Sequence, residues 1–437
     1  RGRPRHPAVE QATPRRGRPG GDPVSGATPG PATDALRIET DEHPTLLTRA
    51  QLIALRIRGG DLGPLPVIAG LVVIWGVFQT LNPVFLSSTN LVNLTMQCAS
   101  IGTIALGIVV VLLLGEIDLS VGSVSGLAAA VLAVGFVQAE WPLIVAILAA
   151  VGSGTVVGLL YGFLYTRFGL PSFVITLAGL LAVLGAQLWV LGETGSVNLP
   201  FDSWIVQFAQ HMFLPAWLAY ALVVVSVAAY AWSLYRRARR RADANLDSQS
   251  GWEITARAGL LLGLLLAATW VLNLSRGVGA MFVFFLALVV VMHFLLSRTR
   301  WGRAVYAVGG SVEAARRAGI RVERIYLSVF ALCTTLAAIG GILAAARLAA
   351  ANQSTGTGDT NLNAIAAAVI GGVSLFGGRG TAFAALLGVI VIQSISSGLT
   401  LLNLDSSVRF MVTGAVLVLA VIVDSLSRRT RAAVGRA

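Results

Sequence analysis

The fold is decided between Leu62 and Gly115, LGPLPVIAGLVVIWGVFQTLNPVFLSSTNLVNLTMQCASIGTIALGIVVVLLLG, a stretch without one charged residue. A helix crosses a bilayer with about 20 apolar residues, so this stretch holds two crossings. Further charge-free blocks run Leu119–Ala139, Pro142–Thr166, Phe168–Gly192, Leu327–Ala346 and Thr381–Leu404. Apolar and polar residues do not alternate in them, which excludes a β-barrel as the spanning structure. Glycine is frequent inside the blocks, as it is in membrane helices whose backbones approach closely. Only 12% of the 437 residues are charged, against roughly 25% in soluble proteins. The chain therefore reads as all-α, a polytopic transmembrane helical bundle.

Outward from that stretch, spans are expected at 63–81, 91–115, 117–138, 141–165, 171–191, 214–235, 254–273, 279–296, 325–347, 380–402 and 408–426, with a shorter apolar piece at 362–376. The net charge of +12 comes from arginine alone, since the chain has no lysine. The arginines cluster at Arg1–Arg58, Arg236–Arg241, Arg298–Arg324 and Arg428–Arg436. Each cluster flanks a span, the signature of cytoplasmic loops rather than of nucleic-acid binding. Both termini then lie in the cytoplasm, which requires an even number of crossings between ten and twelve. Either 362–376 crosses or one pair of segments is discontinuous or re-entrant. Residues 1–44, rich in Pro, Gly and Arg, read as a disordered basic cytoplasmic tail without the apolar core of a signal peptide. Residues 45–61 read as an amphipathic interfacial segment, 62–426 as the membrane domain with cytoplasmic loops at 236–253 and 297–324, and 427–437 as a second cytoplasmic tail.

Three local features stand out. Gly115–Ser123, GEIDLSVGS, sets two carboxylates between apolar runs. A charge there is costly unless it faces protein, a water-filled path or the interface. Asp118 is read either as a helix cap accepting N–H groups near Ser120 or as part of a translocation path. In Trp301–Arg324, Gly309-Gly310-Ser311 reads as a turn with Ser311 as N-cap of a short helix over Glu313–Ala318, and Gly319 as its C′ residue. Ala364–Gly380, AIAAAVIGGVSLFGGRG, is uncharged until Arg379 and suits close packing. Ile117–Gly126 and Ile370–Gly378 echo one another as Gly/Ser-rich interruptions, a pattern that marks discontinuous helices in transporters.

Absences narrow the function. A chain without lysine carries no Walker A loop, and H-E-x-x-H does not occur. Cys98 and Cys333 fall in separate blocks and the four histidines are scattered, so no metal or cofactor is expected. Ser123 and Ser125 have no histidine nearby in sequence, and His293 lies on another block, so nucleophilic catalysis has no support.

Four runs occur in order. They are GEIDLSVGS (115–123), PSFVITLAGLLA (171–182), the loop Gly302–Ile320 with its core YAVGGSVEAARRAGI (306–320), and AIAAAVIGGVSLFGGRG (364–380). Together they resemble the permease subunits of bacterial sugar ABC importers of the ribose/xylose type. The resemblance covers roughly 62–426. Its layout is most like the xylose type, because the Arg236–Arg241 loop and the following span match the longer members. The resemblance implies a multi-pass protein of the bacterial cytoplasmic (inner) membrane that is not itself an enzyme. It implies a homodimer of permeases, a cytoplasmic ABC ATPase, an extracytoplasmic sugar-binding protein and a neutral monosaccharide, xylose or another pentose. The family's coupling helix maps onto about 311–319, with Gly309, Gly310, Ser311, Glu313, Ala314, Ala315, Arg316 and Gly319 as the ATPase-facing residues. Relatives commonly carry Glu-Leu-Asp where this chain has Asn361-Leu362-Asn363, Asn-Gly where it has Ser397-Gly398, and Asn where it has Ser311.

Residues expected on the sugar path are Asn93, Gln97, Asp118, Ser120, Ser123, Thr176 and Gln187, polar groups inside or beside apolar blocks. An ion-coupled secondary transporter is the alternative; Glu116 and Asp118 are the chief embedded carboxylates available to it. A membrane-embedded enzyme and a scaffold subunit are weaker readings.

Overall fold

The computed structural model describes residues 65–244 and 250–405 throughout, and scattered positions from 407 to 422. The expected tails, 1–44 and 427–437, and the interfacial segment 45–61 lie outside the described residues.

The elements run α1 Leu65–Leu81, α2 Ser88–Leu113, α3 Val121–Ala133 continued by a wider π turn Val134–Gln138, α4 Leu143–Phe168, α5 Ser172–Leu191, β1 Ser196–Asn198, α6 Trp204–Gln210 and α7 Ala216–Ala242. They continue with α8 Gly251–Asn273, α9 Ala280–Arg298, α10 Arg300–Gly310, α11 Val312–Arg317, α12 Val322–Leu348, β2 Ala350–Asn352, α13 Thr360–Ile370 and α14 Phe383–Leu401. Among the described residues nine helices are long and apolar enough to cross a membrane, and α1 and α13 are shorter apolar helices. The positions described between 407 and 422 are helical, in the segment where the last span was expected. β1 and β2 pair antiparallel, with Val197 opposite Ala351. The all-α bundle is as the apolar blocks required.

The bundle is sorted into inner and outer helices. The most apolar windows of α2 and α12 are 89% and 78% buried, while those of α7 and α8 are 11% buried. The outer helices thus present apolar faces to lipid. Inner helices cannot be held by hydrophobicity alone, since lipid is as apolar as leucine. Close backbone contact through small residues does that work. On α4, Gly154, Gly158 and Gly162 recur every fourth residue and face α12. A Cβ on Gly154 would stand 2.7 Å from the Thr334 carbonyl, and one on Gly162 2.7 Å from Leu327 Cα. On α2, a Cβ at Gly107 would stand 2.6 Å from the Cys333 carbonyl. Gly341 of α12 sits equally tight against Ser125 of α3.

Two expected boundaries moved. The span expected from 117 starts as helix only at Val121. Gly115 has φ +82°, and the chain from Glu116 to Ser120 is not helical. The loop expected at 297–324 consists mostly of helices α10 and α11.

The short piece around 362–376 settles into place through its neighbours. α12 starts beside α11 and ends at Leu348, where β2 pairs with β1. By Gly378 the chain is back at the α10 end, where its N–H donates to the Leu113 carbonyl at 2.9 Å. The stretch 350–378 therefore traverses the bundle, part extended and part helix.

Gly158→Leu is expected to lower the melting temperature in detergent by roughly 10 °C or to prevent accumulation, because the α12 backbone leaves no room for a side chain. Gly152→Leu on the same helix, with nothing within 4 Å of the added carbon, should stay near wild type in the same thermal-shift measurement.

Candidate functional site

Two interruptions of the helical chain meet inside the bundle. The first is 114–120. After the Gly115 turn the chain doubles back, and Asp118 becomes fully buried (0% exposed) beside the thiol of Cys333, near the midpoint of α12. Asp118 Oδ1 accepts the Ser120 N–H at 2.8 Å and the Ser120 hydroxyl at 2.7 Å. The expected cap is thus an Asx turn one step earlier. Ser120 itself stands at the N-cap position, and its side chain caps nothing. Glu116 accepts the Tyr165 hydroxyl at 2.6 Å. It opens on a cleft of about 490 Å³ that reaches the Gly169–Phe173 turn.

The second interruption is 353–359. Gln187 Nε2 donates to the carbonyls of Asn352 (3.1 Å) and Thr355 (2.9 Å), pinning this strand-like stretch to α5. Gly356 packs against Gly122 so closely that neither tolerates a Cβ. Asn361 Nδ2 donates to the Leu119 carbonyl. The first turns of α3 and α13 therefore face one another inside the bundle and run to opposite ends. Residues 119–122 thus meet 356–361, while the 370–378 run that the Gly/Ser echo singled out meets the start of the same segment, where Phe376 and Gly377 pack on Gly115.

The coupling-type loop forms as its spacing required. Ser311 Oγ accepts the Ala314 N–H at 3.3 Å. Gly319, with φ +79°, ends α11, its N–H bonded to the Arg316 carbonyl and that of Ile320 to the Ala315 carbonyl. This is the two-bond glycine cap that satisfies last-turn carbonyls. Ala315 is the buried anchor at 3% exposure. Ser311, Glu313, Ala314, Arg316 and Gly319 are exposed. The Glu313–Arg316 pair, 3.7 Å apart on the surface, adds little by itself.

Sequence reasoning missed how this loop is fastened to the end of α2, just ahead of the first interruption, and to the Gly377–Gly380 turn that follows α13. Gly309 packs on the Leu113 carbonyl, and a Cβ on Gly377 would be 2.7 Å from the Gly309 carbonyl. The Tyr306 hydroxyl donates to the Gly380 carbonyl at 2.8 Å. Burial pushes this phenol above its ordinary pKa, so it stays a neutral donor. The paired glycines 309-310 and 377-378 were the available signal.

The seven expected path residues separate by burial. Asp118, Ser120, Thr176 and Gln187 are 0% exposed and Ser123 5%. They sit within one chain, and four of them make bonds that brace the interruptions; Thr176 Oγ1, for one, reaches the Ser172 carbonyl at 2.9 Å and the Ile117 carbonyl at 3.4 Å. Gln97 is half-buried. Asn93 is exposed on α2, where the Arg276 guanidinium donates to its Oδ1. The described residues hold no cluster of three His, Cys, Asp or Glu able to take a metal.

A lipid-facing bundle with paired internal interruptions and a capped helix projecting from one end defines a membrane permease. Residues 90–421 match the family described as branched-chain amino acid transport system / permease component, and the chain belongs to it. It is 35% identical over 364 residues to the xylose transport system permease protein of Escherichia coli (strain K12), covering 83% of this chain and 92% of that one. The Haemophilus influenzae xylose transport system permease protein is 34% identical over 79% of this chain and 91% of its own. The ribose import permease protein of Escherichia coli (strain K12) is 30% identical over 82% and 92%. The family resemblance carried by the four motifs is thereby borne out. No solved structure matches the chain.

Asp118→Asn keeps an acceptor for both Ser120 donors and should leave the protein folded, within roughly 3 °C of wild type. Asp118→Leu strands two buried donors, which costs about 1–3 kcal/mol each, and should sharply reduce accumulation measured by fluorescence-detected size exclusion.

Proposed function

We propose that the chain imports a neutral monosaccharide, a pentose such as xylose, as the permease of an ATP-driven importer whose nucleotide hydrolysis takes place in a partner subunit. The observation that carries this reading is the exposed helix α11, capped at both ends and joined through Gly309 and Tyr306 of α10 to the end of α2 ahead of Asp118 and to the turn 377–380 after α13. A partner that pulls on α11 moves the two segments most suited to open and close a path.

Arginine placement supports the orientation. The end bearing α10 and α11 carries Arg298, Arg300, Arg303, Arg316, Arg317, Arg321 and Arg324, while Glu193 and Asp202 lie in the connections near β1 at the other end. By the positive-inside tendency α11 faces the cytoplasm and the β1–β2 ribbon faces out. Counted with the span that the sequence suggests at 408–426, twelve crossings would return the C-terminus to the cytoplasm. The ATPase docks on Glu313, Ala314, Arg316 and the flanking Gly310, Ser311 and Gly319, with Ala315 as their buried support. The binding protein delivers sugar at the ribbon end. Two permease copies enclose the path, with Asn93 and Gln97 toward its outer mouth and Asp118, Ser120, Ser123, Thr176 and Gln187 bracing its wall. Rigid-body rocking of the copies alternates access between the two sides. Relatives named for xylose and ribose transport support a pentose.

Reconstitution with the ATPase and binding protein should give ATP-dependent uptake of pentoses in preference to hexoses, and none with the permease alone. Uptake driven by an ion gradient without ATPase would overturn the reading. Glu313→Lys should reduce uptake at least tenfold while the permease accumulates normally, and unchanged uptake would remove α11 as the docking element.

A further inference from the structure

Five of the seven expected path residues are buried, yet one stretch of the bundle exposes polar groups at an interior level. Gln353, Ser354, Gly358, Asp359 and Leu362 are exposed. Their depth follows from what holds the chain on each side of Asp359. Gly356 is wedged against Gly122, and Asn361 donates to the Leu119 carbonyl. Both contacts fall at the start of α3, which with its π turn runs about five more turns before reaching its far end at Gln138. On the other side of the level, α13 and the turn after it still separate Asp359 from Leu113 and the α10 end.

An ionised carboxylate facing hydrocarbon at such a level is disfavoured, and membrane proteins place one toward a protein interior or a water-filled cavity. Asp359 is also held in position. Its Oδ2 accepts the Asn363 Nδ2–H at 2.9 Å, and its carbonyl accepts the Asn363 N–H at 2.8 Å. Beside it, Asn361 Oδ1 is buried with no hydrogen-bond partner among the described residues, while its Nδ2 is held by the Leu119 carbonyl. The stretch combines a fixed, exposed acceptor with an exposed apolar side chain, Leu362 (50% exposed). A sugar offers the complement, hydroxyl donors on an apolar ring face.

We propose that Gln353–Leu362 lines the water-filled path, and that Asp359 accepts hydroxyl groups of the transported sugar. The identity of the cargo rests on the importer reading given above; the contact with water does not.

Cysteine labelling of the full chain in membranes, with ATPase bound and in both nucleotide-free and ATP-bound states, tests each part. The native thiols, Cys98 and Cys333, are 0% exposed and leave a low background. Asp359→Cys and Leu362→Cys should react with a permanently charged methanethiosulfonate at least tenfold faster than Leu181→Cys and Val225→Cys. Those two positions are 65% and 64% exposed on the outer helices α5 and α7. Equal, slow reaction at all four positions in both states overturns the water-lined path. Two inner positions guard against one variant failing to fold. In a complex that takes up xylose, xylose should slow labelling at 359, and Asp359→Asn should raise the KM for uptake about tenfold with wild-type accumulation. Labelling unaffected by a sugar that the complex transports, with an unchanged KM, overturns the contact with cargo. A complex that transports no sugar at all, but labels at 359 and 362, would refute the importer reading and leave the water-lined stretch standing.

Discussion

A chain that gives up helical hydrogen bonds inside a bilayer must find other protein partners for each freed backbone group, because hydrocarbon offers none. The architecture around both interruptions follows from that requirement. The Ser120 N–H goes to Asp118, the Leu119 carbonyl to Asn361, and the carbonyls of Asn352 and Thr355 to Gln187. The Leu113 carbonyl, left over at the end of α2, takes the Gly378 N–H. Most of these bonds join residues far apart in sequence, and one of them, from Asn361 to the Leu119 carbonyl, joins the two interruptions directly. Polar residues inside the membrane domain are thus first of all the means by which irregular backbone is tolerated there.

Those bonds are short-range, and glycine supplies the close approach they need. Gly122 meets Gly356 where the first turns of α3 and α13 face, and Gly309 meets Leu113 and Gly377 at the end that carries α11. A contact between backbones has little slack, unlike one between long side chains. α10 is therefore joined backbone to backbone to 113–115 and 377–380. From those segments the chain leads to α3 and back to α13, whose first turns face one another and which run to opposite ends of the bundle.

Long apolar runs made the spans legible, and cap chemistry made α11 legible from Ser311 to Gly319, because both signals are local. What stayed hidden depended on distant partners. Ile117 to Ser120 reads as the start of a span because it runs into the charge-free block that begins at Leu119. The Gly115 turn and the Asp118 bond to Ser120 hold it out of the helix. The stretch Gln353–Asp359, QSTGTGD, reads as an ordinary polar connection. Only its packing on Gly122 and Gln187 carries it into the bundle. The seven path candidates were chosen for polarity within apolar blocks. That criterion finds groups which satisfy backbone as readily as groups which touch cargo, and Asp118, Thr176 and Gln187 bond the interrupted backbone. The glycine triplet on α4 was visible as a four-residue repeat, but its partner face on α12 was not.

The substitution of amides at 361 and 363 gains a physical meaning from this arrangement. A carboxylate at 363 would repel Asp359, whereas the amide of Asn363 donates to it. A carboxylate at 361 would lack the N–H that satisfies the Leu119 carbonyl. In this chain the negative charge of the stretch is therefore concentrated on Asp359, at the N-cap position just ahead of α13, where the N-terminal dipole of the helix favours it.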